Sequence, residues 1–410
     1  MAGLDDKPLL IRMNKTAGVA PRRPGLAPSL MFCLLLCGAF PLRAQQAAPR
    51  QTEPAVSRTP LQTAVAQGSG ALGRGNAAGA EQAFRRALTL DPGSIEIMNN
   101  LAIALAREQK ESEAIALYQR ALAIEPGDAI TRRNLGVAYF RAKQYKDALP
   151  LLQGTAQTTP TYQSLALLGF DLFALNRYAG AQQPLEAAHA LQPNDVQTLD
   201  LLGNAYLRTG NYAGMSRVFE QMMAIDPASP EAHAMLAMAY DKLYREADAI
   251  KEFKAALAVD PNYPGLHTGL GVIYWRNDQI DKAALEFQQE LTRHPDDPVA
   301  NCTLGRILRQ RNEPAQAQPL LEAAVRVNPS YRDALVALGQ VRMSLGDTQG
   351  AIDALKHAVA LNPNDAEAHY ILGSALNLAG RPEQGLQQRV LSEKIRERER
   401  RQHNAVQAKP

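Results

Sequence analysis

The sequence predicts an all-α chain laid out as a row of antiparallel helix pairs, and three observations predict it. A closing proline recurs at Pro92, Pro126, Pro160, Pro193, Pro227, Pro261, Pro295, Pro329 and Pro363, every 34 residues with one interval of 33. A period held that strictly marks one supersecondary block stacked on the next. Within the block, apolar and small residues recur at helical spacing. In Pro230–Tyr263, with Pro230 as position 1, positions 4, 7, 8 and 11 share one helix face, and positions 20, 24 and 27 share another. Finally, a short polar turn, Tyr244-Arg245-Glu246, separates the two periodic stretches.

Each part of the block has a physical role. Leu236, Tyr240 and Phe253 are large and fill the space between the two helices, while Ala237, Ala249 and Ala256 are small and let the backbones approach. Pro261 stops the second helix, because proline lacks an N–H and clashes with the preceding turn. Proline at position 1 (Pro230, Pro264, Pro298) suits a first helical turn.

These residues resemble the tetratricopeptide repeat, whose pattern is Leu-Gly, Tyr, Ala, Phe, Ala and Pro at the same positions. Leu135, Gly136, Tyr139, Ala148 and Pro160 match it, as do Leu202, Gly203, Tyr206, Phe219 and Pro227. So do Leu270, Gly271, Tyr274, Ala283, Phe287 and Pro295. The resemblance covers residues 61–398. It implies a right-handed superhelical solenoid whose inner wall is lined by first helices.

In chain order, residues 1–44 resemble a secretory signal peptide. Arg22-Arg23 precede the apolar run Leu30–Phe40, which is too short to span a bilayer comfortably, and Ala44 is the expected last residue before cleavage. The alternatives are an uncleaved short anchor or a lipoprotein using Cys37. This segment is the only membrane contact the sequence suggests, and it points to export, to the periplasm or cell envelope. Residues 45–60 are polar and proline-rich, a disordered linker. Residues 61–94 form a degenerate first repeat, with a glycine-rich first helix expected to fray. Eight tandem repeats fill 95–365. Pro150, Pro184 and Pro319 fall inside second helices and should bend them locally. Arg342 stands where tyrosine is usual, which predicts a weaker core there. Residues 366–398 form a capping pair whose outer face turns polar, as a terminal repeat requires, and 399–410 form a charged tail.

Composition excludes several classes. The formal net charge is +3, and the first 44 residues carry the excess, so nucleic acid is not an expected partner. Gly68-x-Gly70-x-x-Gly73 spells a dinucleotide fingerprint, but the stretch before it is not a convincing strand and the stretch after it reads as the amphipathic helix of a repeat rather than a second strand. His233, His267 and His369 share position 4 of their repeats. Neighbouring first helices stand too far apart for these to share one ion, so they read as seam residues; no metal and no cofactor are expected. Cys302 is the one cysteine outside the first 44 residues and lacks a motif that would supply a base. No catalytic residues are found and no enzyme activity is expected.

Function is therefore sought in surface shape. The resemblance implies that positions 2, 5, 9 and 12 face the groove. The candidate partner-binding residues are Arg133, Val137, Phe140, Phe170, Phe173, Asn204, Leu207, Met238, Trp275, Arg306 and Arg309. The phenylalanines admit two readings, groove lining or padding between neighbouring first helices. Aromatic and arginine side chains are the types that anchor interfaces. The expected function is a non-catalytic scaffold that takes a protein or peptide partner, either an extended segment or a helix, with a carboxylate suiting the Arg306–Arg309 end. The alternative is an accessory arm presenting substrate to a separate glycosyl- or sulfotransferase or to export machinery. The carboxylate clamp of the family's chaperone-tail readers is not matched: Arg133 and Asn134 are present, but Val137 and Ile103 replace its asparagines.

Overall fold

The computed structural model describes residues 58–407. Among these there are twenty helices and no strand. The chain divides into two compact units, one ending at Leu201 and the other beginning at Leu202. The first holds the pairs α1 (Pro60–Gly73) with α2 (Ala77–Leu90), α3 (Ile95–Arg107) with α4 (Glu111–Ile124), α5 (Ala129–Arg141) with α6 (Tyr145–Thr158), and α7 (Tyr162–Ala174) with α8 (Tyr178–Leu191). Helix α9 (Val196–Thr209) crosses the division and is followed by α10 (Tyr212–Ile225). The second unit continues with α11 (Pro230–Lys242) and α12 (Glu246–Val259), α13 (Leu266–Arg276) and α14 (Ile280–Arg293), and α15 (Pro298–Gln310) and α16 (Pro314–Val327). It ends with α17 (Arg332–Ser344) and α18 (Thr348–Leu361), then α19 (Ala366–Leu378) and α20 (Pro382–Gln407). The predicted all-α row of helix pairs is what forms, and within each unit the helices pack chiefly on their neighbours in sequence.

Most first helices start on a side-chain cap. Ser94, Asp128, Thr161, Ser229, Asp297 and Asp365 each accept the N–H three residues on, which satisfies a donor the helix cannot. First helices end by one device throughout. Position 15 is left-handed in every pair: Gly75, Gln109, Lys143, Asn176, Gly210, Tyr244, Asp278, Asn312, Gly346 and Gly380 all have positive φ. The next N–H then reaches back to the carbonyl at position 11, as from Arg245 to Tyr240 at 2.8 Å and from Gln279 to Tyr274 at 2.9 Å. This is Schellman closure. Second helices end in an extended residue before the closing proline, such as Asp260 at φ −132°, ψ 97°, as the proline ring demands.

The core lies in the seam of each pair. Alanine at position 20 is fully buried in most pairs (Ala80, Ala114, Ala148, Ala249, Ala283, Ala317, Ala351). At position 8 a Cβ on Gly271 would stand 2.7 Å from the Phe287 ring, so that glycine is there for close approach. Phe287 is wholly buried, which contributes about 1.5–3 kcal/mol.

The joints between pairs are polar and specific. His233 Nε2 donates to the Pro227 carbonyl at 3.2 Å, Asn301 Nδ2 to Pro295 at 2.7 Å, and His369 Nε2 to Pro363 at 3.1 Å. The other imidazole nitrogens meet Glu252 at 2.6 Å and Gln388 at 2.6 Å, while His267 Nδ1 meets Glu286 at 2.7 Å. The position-4 histidines are thus seam residues, each tied to its own second helix.

Three expectations change. Helix α1 does not fray: Thr59 and Gln62 form a capping box, and the helix runs to Gly73. Its Gly68 occupies position 8, where a Cβ would meet the Phe84 ring at 2.7 Å, so that glycine serves packing rather than marking decay. Arg342 does not empty its core position. It donates to Glu322 at 2.9 Å and to the Gly350 carbonyl at 3.1 Å. The Tyr240 hydroxyl likewise donates to Glu220 at 2.9 Å from the same pair of repeat positions. Helix α20 continues past 398 to Gln407, through the stretch expected as a tail. Pro150, Pro184 and Pro319 lie within α6, α8 and α16, which run through them uninterrupted. The signal-like segment and nearly all of the proposed linker lie outside the described residues.

Candidate protein-binding faces

The candidate residues fall into two sets, one in each unit. In the first, Arg133, Val137 and Phe140 stand on α5, and Phe170 and Phe173 on α7. Phe140 must be withdrawn as a contact for a partner. It is 1% exposed, its ring held edge-on by Phe170 at 5.1 Å and by Tyr145 at 5.8 Å. Position 12 of α5 faces the neighbouring helix, so this ring packs the joint. Phe170 is half-buried within the same cluster, and Phe173, also half-buried, lies edge-on to Tyr178 at 5.0 Å. Arg133 is half-buried, its Nε shut off from solvent with no acceptor among the described residues.

In the second set every candidate is half-buried: Asn204 and Leu207 on α9, Met238 on α11, Trp275 on α13, and Arg306 and Arg309 on α15. The Arg306 guanidinium lies 4.6 Å from the centre of the Trp275 ring, a cation–π distance. Three other arginines of this unit are neutralised by carboxylates. Arg276 bonds Asp241 at 2.6 Å, Arg311 pairs with Asp281, and Arg332 with Asp365 and Glu367. Arg306 and Arg309 have no carboxylate partner among the described residues, and Arg309 Nε is buried without an acceptor. The Trp275 face thus presents an aromatic surface beside two unmatched positive charges.

Titratable groups in the seams have structural explanations. Burial pushes the Cys302 thiol up to about 12, which keeps it protonated and non-nucleophilic. Burial likewise pushes Asp171 up to about 7, against the weaker opposing pull of Arg177; both its oxygens are buried without a hydrogen-bond partner. Glu290 is raised by burial although it accepts the Gly265 N–H at 2.8 Å and the Thr268 N–H at 3.3 Å. A further cluster, not among the candidate residues, lies in the last pair, where Arg389 and Arg396 of α20 approach the Tyr370 ring of α19 at 5.6 and 5.5 Å. Its signal was available: Arg389 stands at position 24, where the pattern puts phenylalanine or leucine.

Repeated helix pairs turning half-buried aromatic and arginine side chains outward are the architecture of a helical-repeat interaction scaffold. Models of the tetratricopeptide repeat match residues 65–129, 105–168, 198–231, 302–365 and 336–388, and a TPR repeat model matches 247–278. The chain belongs to the tetratricopeptide repeat family, whose members bind protein or peptide partners. Among the solved structures similar to it is the APC/C hetero-tetramer Cut9-Hcn1, 13% identical over 83% of this chain and 94% of that one, with a TM-score of 0.43. Another is pilF of Pseudomonas aeruginosa, 19% identical over 48% and 90%, TM-score 0.43. A third is YrrB, a TPR protein with an unusual peptide-binding site, 19% identical over 44% and 93%, TM-score 0.40. No curated protein matches in sequence. Among the described residues, no helix is long and apolar enough to cross a membrane.

Proposed function

We propose that the chain is a non-catalytic scaffold whose first-helix faces take a peptide segment or a partner helix. The observation that carries this reading is the Trp275 face. An aromatic ring with Arg306 stacked on it at 4.6 Å, and Arg309 unmatched beside it, suits a segment bringing an apolar side chain and a carboxylate. Removing either guanidinium takes no internal ion pair away, so these arginines are available to a partner at little cost to the fold. The composition of residues 1–44 supports a site of action beyond the inner membrane, in the periplasm or cell envelope.

The test is capture from a periplasmic extract by the full chain, compared with a Trp275→Ala/Arg309→Gln variant. This pair spares Phe170, which packs against Phe140 and whose replacement would disturb the seam. A specific partner retained by wild type and lost by the folded variant is the expected result; retention of every partner overturns the reading. N-terminal sequencing of the mature product is expected to begin at Gln45.

A further inference from the structure

The last helix pair departs from the repeat pattern in a way that changes its surface. At position 24 the other pairs insert a ring or a leucine into the seam, such as Phe253, Phe287, Leu321 or Leu355. Here the residue is Arg389. Its stem takes the vacated space: a Cβ on Gly373 would stand 2.9 Å from Arg389 Cγ. Its head emerges beside α19, where Nη2 donates to Ser374 Oγ at 3.5 Å and Cζ lies 5.6 Å from the Tyr370 ring centre. Arg396, seven residues or two turns further along α20, brings a second guanidinium to 5.5 Å from the same ring. Tyr370 is 47% exposed. Two like charges drawn to one aromatic ring repel each other, and neither has a carboxylate partner among the described residues. By contrast, Arg401 further along the helix pairs with Glu397 at 3.5 Å.

We propose that this terminal pair carries a second binding site, for an acidic peptide segment whose carboxylates settle between Arg389 and Arg396 over the Tyr370 ring. An anion there would relieve the repulsion and meet donors already held in place by the ring. A short carboxylate-bearing segment fits better than a polyanion. Glu393, Glu397 and Glu399 interrupt the positive charges of α20, so an extended phosphate backbone or an anionic membrane would meet negative charge along the helix from Glu393 onward. The site rests on the reading of the chain as a peptide-binding scaffold but uses none of the Trp275 residues.

The test is fluorescence anisotropy on the full chain, with a labelled, end-blocked peptide of four Asp-Ala repeats as the probe. Four proteins are compared: wild type, Arg396→Gln, Arg389→Gln/Arg396→Gln, and Arg306→Gln/Arg309→Gln. Arg396 is exposed and its one described contact is with the Tyr370 ring, so its single variant stays informative if the double variant loosens the pair. Wild type is expected to bind, with affinity falling as salt is raised. Arg396→Gln should bind about tenfold more weakly, the loss of one charge-assisted contact, and Arg306→Gln/Arg309→Gln should still bind the probe more tightly than Arg396→Gln does. Equal binding by wild type and Arg396→Gln overturns the site. Loss confined to Arg306→Gln/Arg309→Gln also overturns it while upholding the Trp275 face. Tighter, Arg396-dependent binding of phosphatidylglycerol vesicles or of a single-stranded oligonucleotide than of the peptide overturns the choice of partner.

Discussion

At the scale of single residues, Asp171 is the position most at odds with its surroundings. Corresponding first-helix positions carry Ala138, Ala239, Ile273, Ile307 and Val341, all suited to a dry seam. A carboxyl there is held at about 7 by burial, above its unfolded value of about 3.9. The folded state therefore binds the proton more tightly. Stability is full below about pH 4, falls as pH rises towards 7 while only the unfolded chain ionises, and is lowest above that. Asp171→Ala should raise stability at pH 8 by on the order of 2–4 kcal/mol and show no gain at pH 4, read from denaturant midpoints. Parallel pH profiles for the two proteins would refute this. Tyr244 is a second misfit, held at φ 58° while 77% exposed. Tyr244→Gly should stabilise by about 1 kcal/mol. Neither residue was legible beforehand. The left-handed turn accepts glutamine, lysine, asparagine, tyrosine and aspartate across the pairs, because backbone closure rather than side-chain type enforces it.

At the scale of the element, α13 shows how one helix compensates for an irregular start. Gly265 occupies the N-cap and offers no side chain. The acceptor comes instead from Glu290 of α14, at a repeat position where small residues normally let the backbones close up. Glu290→Ala should leave two N–H groups unpaired and cost about 1–3 kcal/mol, while Glu290→Gln should recover most of it, in thermal unfolding. The reciprocal case is α17, where Arg342 fills the tyrosine slot through Glu322. Arg342→Tyr should be close to neutral, because Tyr240 makes the equivalent bond to Glu220, whereas Arg342→Leu should cost about 1 kcal/mol through the lost bonds to Glu322 and the Gly350 carbonyl. The sequence pattern located every helix pair, because proline and apolar spacing are local signals. It misjudged α1 and α17, because the partner that makes Gly68 or Arg342 acceptable lies across a seam.

At the scale of the whole molecule, within each unit a pair leans mainly on the pairs beside it in sequence, so stability should be a sum of local terms. Gly271→Val places a side chain against the Phe287 ring, and hydrogen exchange should then show lost protection across α13 and α14 with protection retained in α3 to α6. Uniform loss across the described helices would show a single cooperative unit instead. The candidate faces were less legible than the fold. Periodicity places positions 9 and 12 on one helix surface, but it cannot separate a half-buried ring, as Trp275 is, from one closed in a joint, as Phe140 is. That distinction depends on the neighbouring pair, and only the three-dimensional arrangement supplies it.

The hydrogen bonds from His233, Asn301 and His369 to the preceding proline carbonyls are not shared by every joint; at the same position α17 carries Leu335, which can make none. Under tension applied along the backbone, a tethered molecule should therefore yield sooner at a boundary without this bond and hold longer where an imidazole or amide pins it. Optical-tweezer traces would show this as an ordered staircase of rips whose sequence is rearranged by the single exchange His233→Leu.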